Sequence, residues 1–146
     1  MRKFVPAITL IVFATLTLGA IPNSRSEESS AVAAVARNYL DAYYTADAAR
    51  MLKVLHPEFH KRTIKTVNGQ MEITEDTVQS MVQGVRLGSG KNIPRNERIR
   101  EIQVLDIYKD AASVKVVTGR WIDYMHLSRF NSEWRVLDVV LQYTRK

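Results

Sequence analysis

Three polar residues, Asp123, Tyr124 and His126, stand in the middle of the stretch WIDYMHLSRFNSEWRVLDVVLQY, which runs from Trp121 to Tyr143. A histidine titrates near neutral pH and serves as acid, base or hydrogen-bond donor. A neighbouring carboxyl or phenol can orient it or take part in proton transfer. On a strand, alternation puts Arg120, Ile122, Tyr124, His126 and Ser128 on one face. Trp121, Asp123, Met125, Leu127 and Arg129 then share the other face, so Asp123 and His126 are separated unless a bulge intervenes. The plain alternative is a sheet face that meets solvent or a dimer partner, where Tyr and His are common. Residue type alone favours that alternative.

Other candidate motifs carry less chemistry. His56 and His60 are four apart, a helical metal-ligand spacing, but Pro57 lies between them and breaks the helix that would align them. HPEFH also lacks the glutamate that follows the first histidine in zinc proteases, so His56 reads as a hydrogen-bonding residue at a helix end. Gly88-Ser89-Gly90-Lys91 fails as a phosphate loop, with Val85 in place of the first glycine and Asn92 after the lysine. No serine sits in a G-x-S-x-G turn. No metal and no cofactor is expected.

The elements that position these residues can be read along the chain. Met1 to Ala20 has Arg2 and Lys3, an apolar run from Phe4 to Leu18, and small residues Gly19 and Ala20, the layout of a secretory signal peptide. Cleavage falls after Gly19 or Ala20, and the alternative is an uncleaved anchor, the only expected membrane contact. A periplasmic or secreted location follows. With no cysteine, the exported chain must be held by its core alone. Cleavage after Ala20 lowers the net charge from +6 to +4, because Arg2 and Lys3 leave. The basic residues Arg86, Lys91, Arg95, Arg98 and Arg100 have no interleaved aromatics, which argues for a solvated loop rather than a nucleic-acid surface.

Residues 21–29 read as a polar linker and residues 30–146 as one domain. Ser29 or Ser30 caps a first helix whose Val32, Val35, Tyr39, Leu40 and Tyr43 recur at helical steps. Ala48 to Leu55 is a short second helix, ended by His56-Pro57. Lys61 to Val67 and Gln70 to Ile73 form a hairpin about Asn68-Gly69. Thr74 caps a third helix, with Glu75 and Asp76 in its first turn. Strands follow at Arg98 to Tyr108, where the apolar phase shift at Leu105 predicts a bulge, and at Ala112 to Tyr124, running on into the long ribbon that turns at Asn131-Ser132-Glu133. Segregated helices and strands mean α+β, a strongly curved antiparallel sheet wrapped around the long N-terminal helix.

Taken together, Tyr39 to Tyr43 with TADAARML, LHPE, IYKDAASVKVV and DYMHLSRFNSEWRVLDVVL resemble the putative lumazine-binding family, within the nuclear-transport-factor-two-like superfamily of cystatin-like cones. The resemblance covers Ser30 to Gln142. It implies a conical pocket, but the superfamily includes both enzymes and non-catalytic members, so fold alone does not decide function. Matched to the ketosteroid isomerases of that superfamily, their catalytic tyrosine falls on Tyr39 and their oxyanion-hole aspartate on His126. Their general base would fall around Arg62 to Ile64, where there is no carboxylate. The expected site is a mostly apolar pocket. Its ligand-binding residues are Tyr39, Tyr43, Tyr124 and His126, and it takes a small apolar or aromatic ligand. The expected protein is an exported binding module, a homodimer through the outer sheet face, with no assured catalysis. The competing expectation is a lyase, isomerase or cyclase, with His126 as base and Asp123 or Tyr39 as its partner. A third possibility is a structural or protein-interaction role with the cone filled, which a cavity of at least ~300 Å³ would argue against.

Overall fold

A computed structural model of the protein describes residues 24–144. The signal segment at 1–20 and residues 21–23 of the linker lie outside the described residues. The elements run α1 (Ser24–Thr45), α2 (Ala48–Val54), β1 (Leu55–Val67), β2 (Gln70–Thr77), α3 (Val78–Arg86), β3 (Ile99–Tyr108), β4 (Ala111–Thr118), β5 (Trp121–Phe130) and β6 (Glu133–Tyr143). The strands form one open sheet in the order β2-β1-β6-β5-β4-β3. The fold is α+β, as the alternation and the helical stripe predict.

The sheet wraps α1 because α1 has one apolar stripe to bury. Val32, Ala36, Tyr39 and Leu40 are enclosed, and they share a core with Val114, Val116, Met125, Leu127, Val136 and Val139 of the sheet. Bulges supply the bend. One lies in β3 between Val104 and Asp106, where the phase shift at Leu105 predicts it, and a second displaces the β5–β6 register beyond His126. Among the described residues no helix is long and apolar enough to cross a membrane.

Several boundaries differ from expectation. The first helix begins at Ser24, so Ser30 lies inside it and donates to the Ser26 carbonyl at 2.9 Å instead of capping. The third helix starts at Val78, not after Thr74. Pairing of His60 with Thr77 through Thr63 with Thr74 keeps Thr74, Glu75 and Asp76 in β2, and Thr77 and Ser80 form a reciprocal capping box. The sheet is mixed, since β1 runs parallel to β6 where the small hairpin joins the four-stranded meander.

The most consequential difference is at Gly119-Arg120. Ala112 to Tyr124 is not one strand but two, β4 and β5, joined by a tight turn. The Thr118 hydroxyl accepts from the amides of Arg120 and Trp121 and donates to the Trp121 carbonyl at 2.9 Å. A side chain at position 119 would meet the Glu97 backbone at 2.6 Å, so only glycine fits the approach. Strand β4 buries its even-numbered residues Ala112, Val114, Val116 and Thr118. The two-residue turn changes that parity, and β5 buries the odd-numbered Trp121, Asp123, Met125 and Leu127.

Candidate functional site

The parity change brings Asp123 into the cone and keeps His126 out. Between α1, α3, the small hairpin and the β5–β6 ribbon lies a cavity of about 240 Å³. Its deep wall is formed by Tyr39, Trp121 and Asp123, and Lys61, Thr63 and Tyr43 complete its inner lining. Lys65, Asp76 and Tyr143 stand towards the mouth.

Asp123 is 1% exposed. Its Oδ2 accepts the Trp121 indole N–H at 2.8 Å, and its Oδ1 is buried without a hydrogen-bond partner among the described residues. Burial raises the pKa of this carboxyl, while the nearby Lys61 ammonium and the Trp121 hydrogen bond pull it down. Lys61 is itself 9% exposed, and its ammonium lies over the Tyr43 ring at 5.8 Å. Among the described residues the phenol of Tyr39 reaches only the Met81 thioether, at 3.9 Å. Burial first, and then the charge of Asp123, push its pKa well up, so it stays a neutral donor. Tyr43 is raised chiefly by burial as well, and its ring meets Trp121 edge-on at 6.2 Å.

These groups are held by ordinary packing. Tyr39 sits on the buried stripe of α1, against Phe59 at 6.3 Å between ring centroids. Gly90 lets the loop after α3 lie against Tyr43, since a Cβ there would stand 2.4 Å from the Tyr43 ring and carbonyl. Ser89 and Gly84 thereby close one side of the cavity. The glycine-rich GSGK run is thus a cavity wall rather than a phosphate cradle.

Of the four ligand-binding residues expected from sequence, Tyr39 and Tyr43 line the cavity together. Tyr124 and His126 do not. Tyr124 is 44% exposed on the outer face, beneath Lys115. His126 is exposed there too, 3.3 Å from Asp138, which is paired in turn with Arg62. The placement of His126 opposite Tyr39 is therefore corrected: the two residues are on opposite sides of the sheet, and His126 cannot act as base for a ligand in the cone. Its exposure fits the plain reading, a sheet face that meets solvent or a dimer partner. The expected apolar lining is corrected as well, because charged and hydroxyl groups dominate the wall.

The other two histidines are structural in the same sense. His56 accepts the Glu58 amide at 3.0 Å and packs edge-on against Phe130, just after α2. His60 pairs with Glu75 at 3.0 Å. Sequence reasoning missed Lys61 and Trp121 and left Asp123 on the wrong side. The signals were present: the alternate polar residues Lys61, Thr63 and Lys65 in a strand, and a glycine placed to reverse the chain at 119.

Comparison with known proteins bears on the whole domain. A model of the family described as putative lumazine-binding matches residues 27–141. No curated protein matches the chain. Among solved structures, an NTF2-like protein of unknown function from Shewanella baltica is 15% identical, with 85% of this chain and 99% of that chain covered at a TM-score of 0.60. An NTF2-like protein with a cystatin-like fold from Novosphingobium aromaticivorans is 11% identical, covering 82% and 84% at a TM-score of 0.60. A protein from the same organism titled a putative aromatic ring hydroxylase is 13% identical, covering 83% and 92% at 0.58. At such identities the likeness shows the fold alone.

Proposed function

This chain belongs to the putative lumazine-binding family, and from that membership and the cavity we propose an exported module that binds a small molecule inside the cone. The observation that carries the reading is Asp123 Oδ1, a buried carboxyl oxygen with no partner at the back of an open cavity. An unsatisfied buried polar atom costs about 1–3 kcal/mol. A ligand N–H or O–H reaching Oδ1 offsets that cost, and the Tyr39 phenol is free to donate to a ligand acceptor beside it. At about 240 Å³ the cavity is open but falls short of the ~300 Å³ mark set from sequence, and it suits a molecule smaller than a drug-sized ligand. Export rests on the layout of residues 1–20. Isothermal titration of small aromatic and heterocyclic compounds against the protein and Asp123→Asn tests binding. Saturable heat that the variant loses supports the reading, and no heat from any compound removes it.

A second reading, acid–base catalysis, is favoured by one observation: the carboxyl with a raised pKa and the neutral phenol share a wall. Asp123 then takes the proton-transfer role that sequence gave to His126, and Tyr39 stabilises developing negative charge on a substrate oxygen. Turnover of a small carbonyl compound that is lost in Asp123→Asn and retained in His126→Ala supports it; equal turnover in all three removes it.

A homodimer through the outer face is part of the proposal. Ile73, Ile64 and Ile122 stand in or near one cross-strand row, with Tyr124 opposite Val140 in the next. Sedimentation equilibrium reads the assembly, and a Tyr124→Glu variant that sediments like the wild type removes this face as the interface.

A further inference from the structure

Lys61 stands opposite Asp76 in the β1–β2 register, yet the two form no ion pair. Asp76 instead accepts from the Ser80 hydroxyl at 2.9 Å. The Lys61 ammonium lies over Tyr43 and, among the described residues, makes no hydrogen bond or ion pair. It is nine-tenths buried, as Asp123 is almost wholly, and both line the same cavity. The cavity thus holds two buried groups with unused hydrogen-bonding capacity and opposite character: three donor positions on Lys61 and one acceptor on Asp123.

Their spacing follows from the sheet. Lys61 pairs with Val139 of β6, and Asp123 pairs with Leu141 of the same strand. The two residues are therefore on strands two apart, their backbones about 9–10 Å apart across the sheet and two residues out of step along β6, with Leu141 lining the cavity between them. Tyr39, Tyr43 and Trp121 supply aromatic walls. From this arrangement we propose that the site selects a single-ring aromatic acid, its carboxylate met by Lys61 and a hydroxyl or amino donor at the opposite end met by Asp123 Oδ1. The proposal rests on the small-molecule reading above and names its ligand class. A ring with polar groups at opposite ends suits two anchors on different strands of one cavity, and one ring fits a volume of about 240 Å³.

Three probes separate the two anchors: para-hydroxybenzoate, which has both groups, benzoate, which lacks the donor, and para-cresol, which lacks the anion. Titrated into the protein, para-hydroxybenzoate should bind about ten- to a hundredfold more tightly than either of the others, the range for one hydrogen bond to a charged group. Lys61→Met should erase its advantage over para-cresol, and Asp123→Asn its advantage over benzoate, with circular dichroism checking that each variant folds. Equal binding of the three probes overturns the proposal even if no variant folds. Tight binding of para-cresol alone also overturns it while leaving the small-molecule reading standing. If no probe binds and protein from its own source carries no small molecule, both fail.

Discussion

Trp121 and Asp123, two residues apart on β5, face the cavity together, and the indole N–H holds one carboxyl oxygen at 2.8 Å while the other stays buried and unpartnered. The tryptophan fixes the carboxyl's orientation in the cavity wall. Such preorganisation lowers the cost of ordering a site on binding.

Asp123 should make stability depend on pH. Its folded pKa is raised above the ordinary value of 3.8, so the folded state holds the proton more tightly than the unfolded chain. Stability therefore falls as pH rises from 3.8 to the raised value, and the full penalty persists above it. Asp123→Asn keeps an acceptor for Trp121 and should be more stable at neutral pH. Urea melts across pH check this; a variant with the wild-type pH slope contradicts it.

Tyr39→Phe should separate stability from binding. The hydroxyl has only a long thioether contact, so removing it should change stability by less than about 1 kcal/mol. Loss of a donor to the ligand should weaken binding about tenfold. Thermal melts and titration on the same preparation read the two effects.

Gly90→Ala should disturb the cavity from outside it. The new methyl group meets the Tyr43 ring and carbonyl at 2.4 Å, which requires the loop or the ring to move. Overpacking of this kind costs about 1–3 kcal/mol. Ligand affinity should fall along with the melting temperature, and an unchanged melting temperature contradicts the packing.

His126→Ala is the contrasting variant. It removes an exposed pair with Asp138 on the outer face, worth about 0–1 kcal/mol. Binding in the cone should be unchanged by calorimetry, and a large loss would return His126 to the site.

Much of the fold is legible in the sequence because it rests on periodicity. The α1 stripe from Val32 to Tyr43, the Asn68-Gly69 turn and the bulge at Leu105 are local signals, and each is present in the structure. The site is less legible because it depends on parity across one turn. The resemblance implies Tyr124 and His126 in the cone, whereas the reversal at Gly119 turns Trp121 and Asp123 inward. A single residue of phase moves every side chain to the other face. Lys61 was hidden for a different reason. A lysine in a strand normally reads as exposed, and only the wrapped sheet shows that Lys61 is enclosed.

Native mass spectrometry of protein purified from its own source, run beside Asp123→Asn, Tyr39→Phe and His126→Ala, tests the central claim most directly. The wild type and His126→Ala should carry the same small-molecule adduct, and Asp123→Asn and Tyr39→Phe should carry little or none. A wild type without adduct, or an adduct kept by the cavity variants and lost only in His126→Ala, would contradict a binding site built on Asp123 and Tyr39.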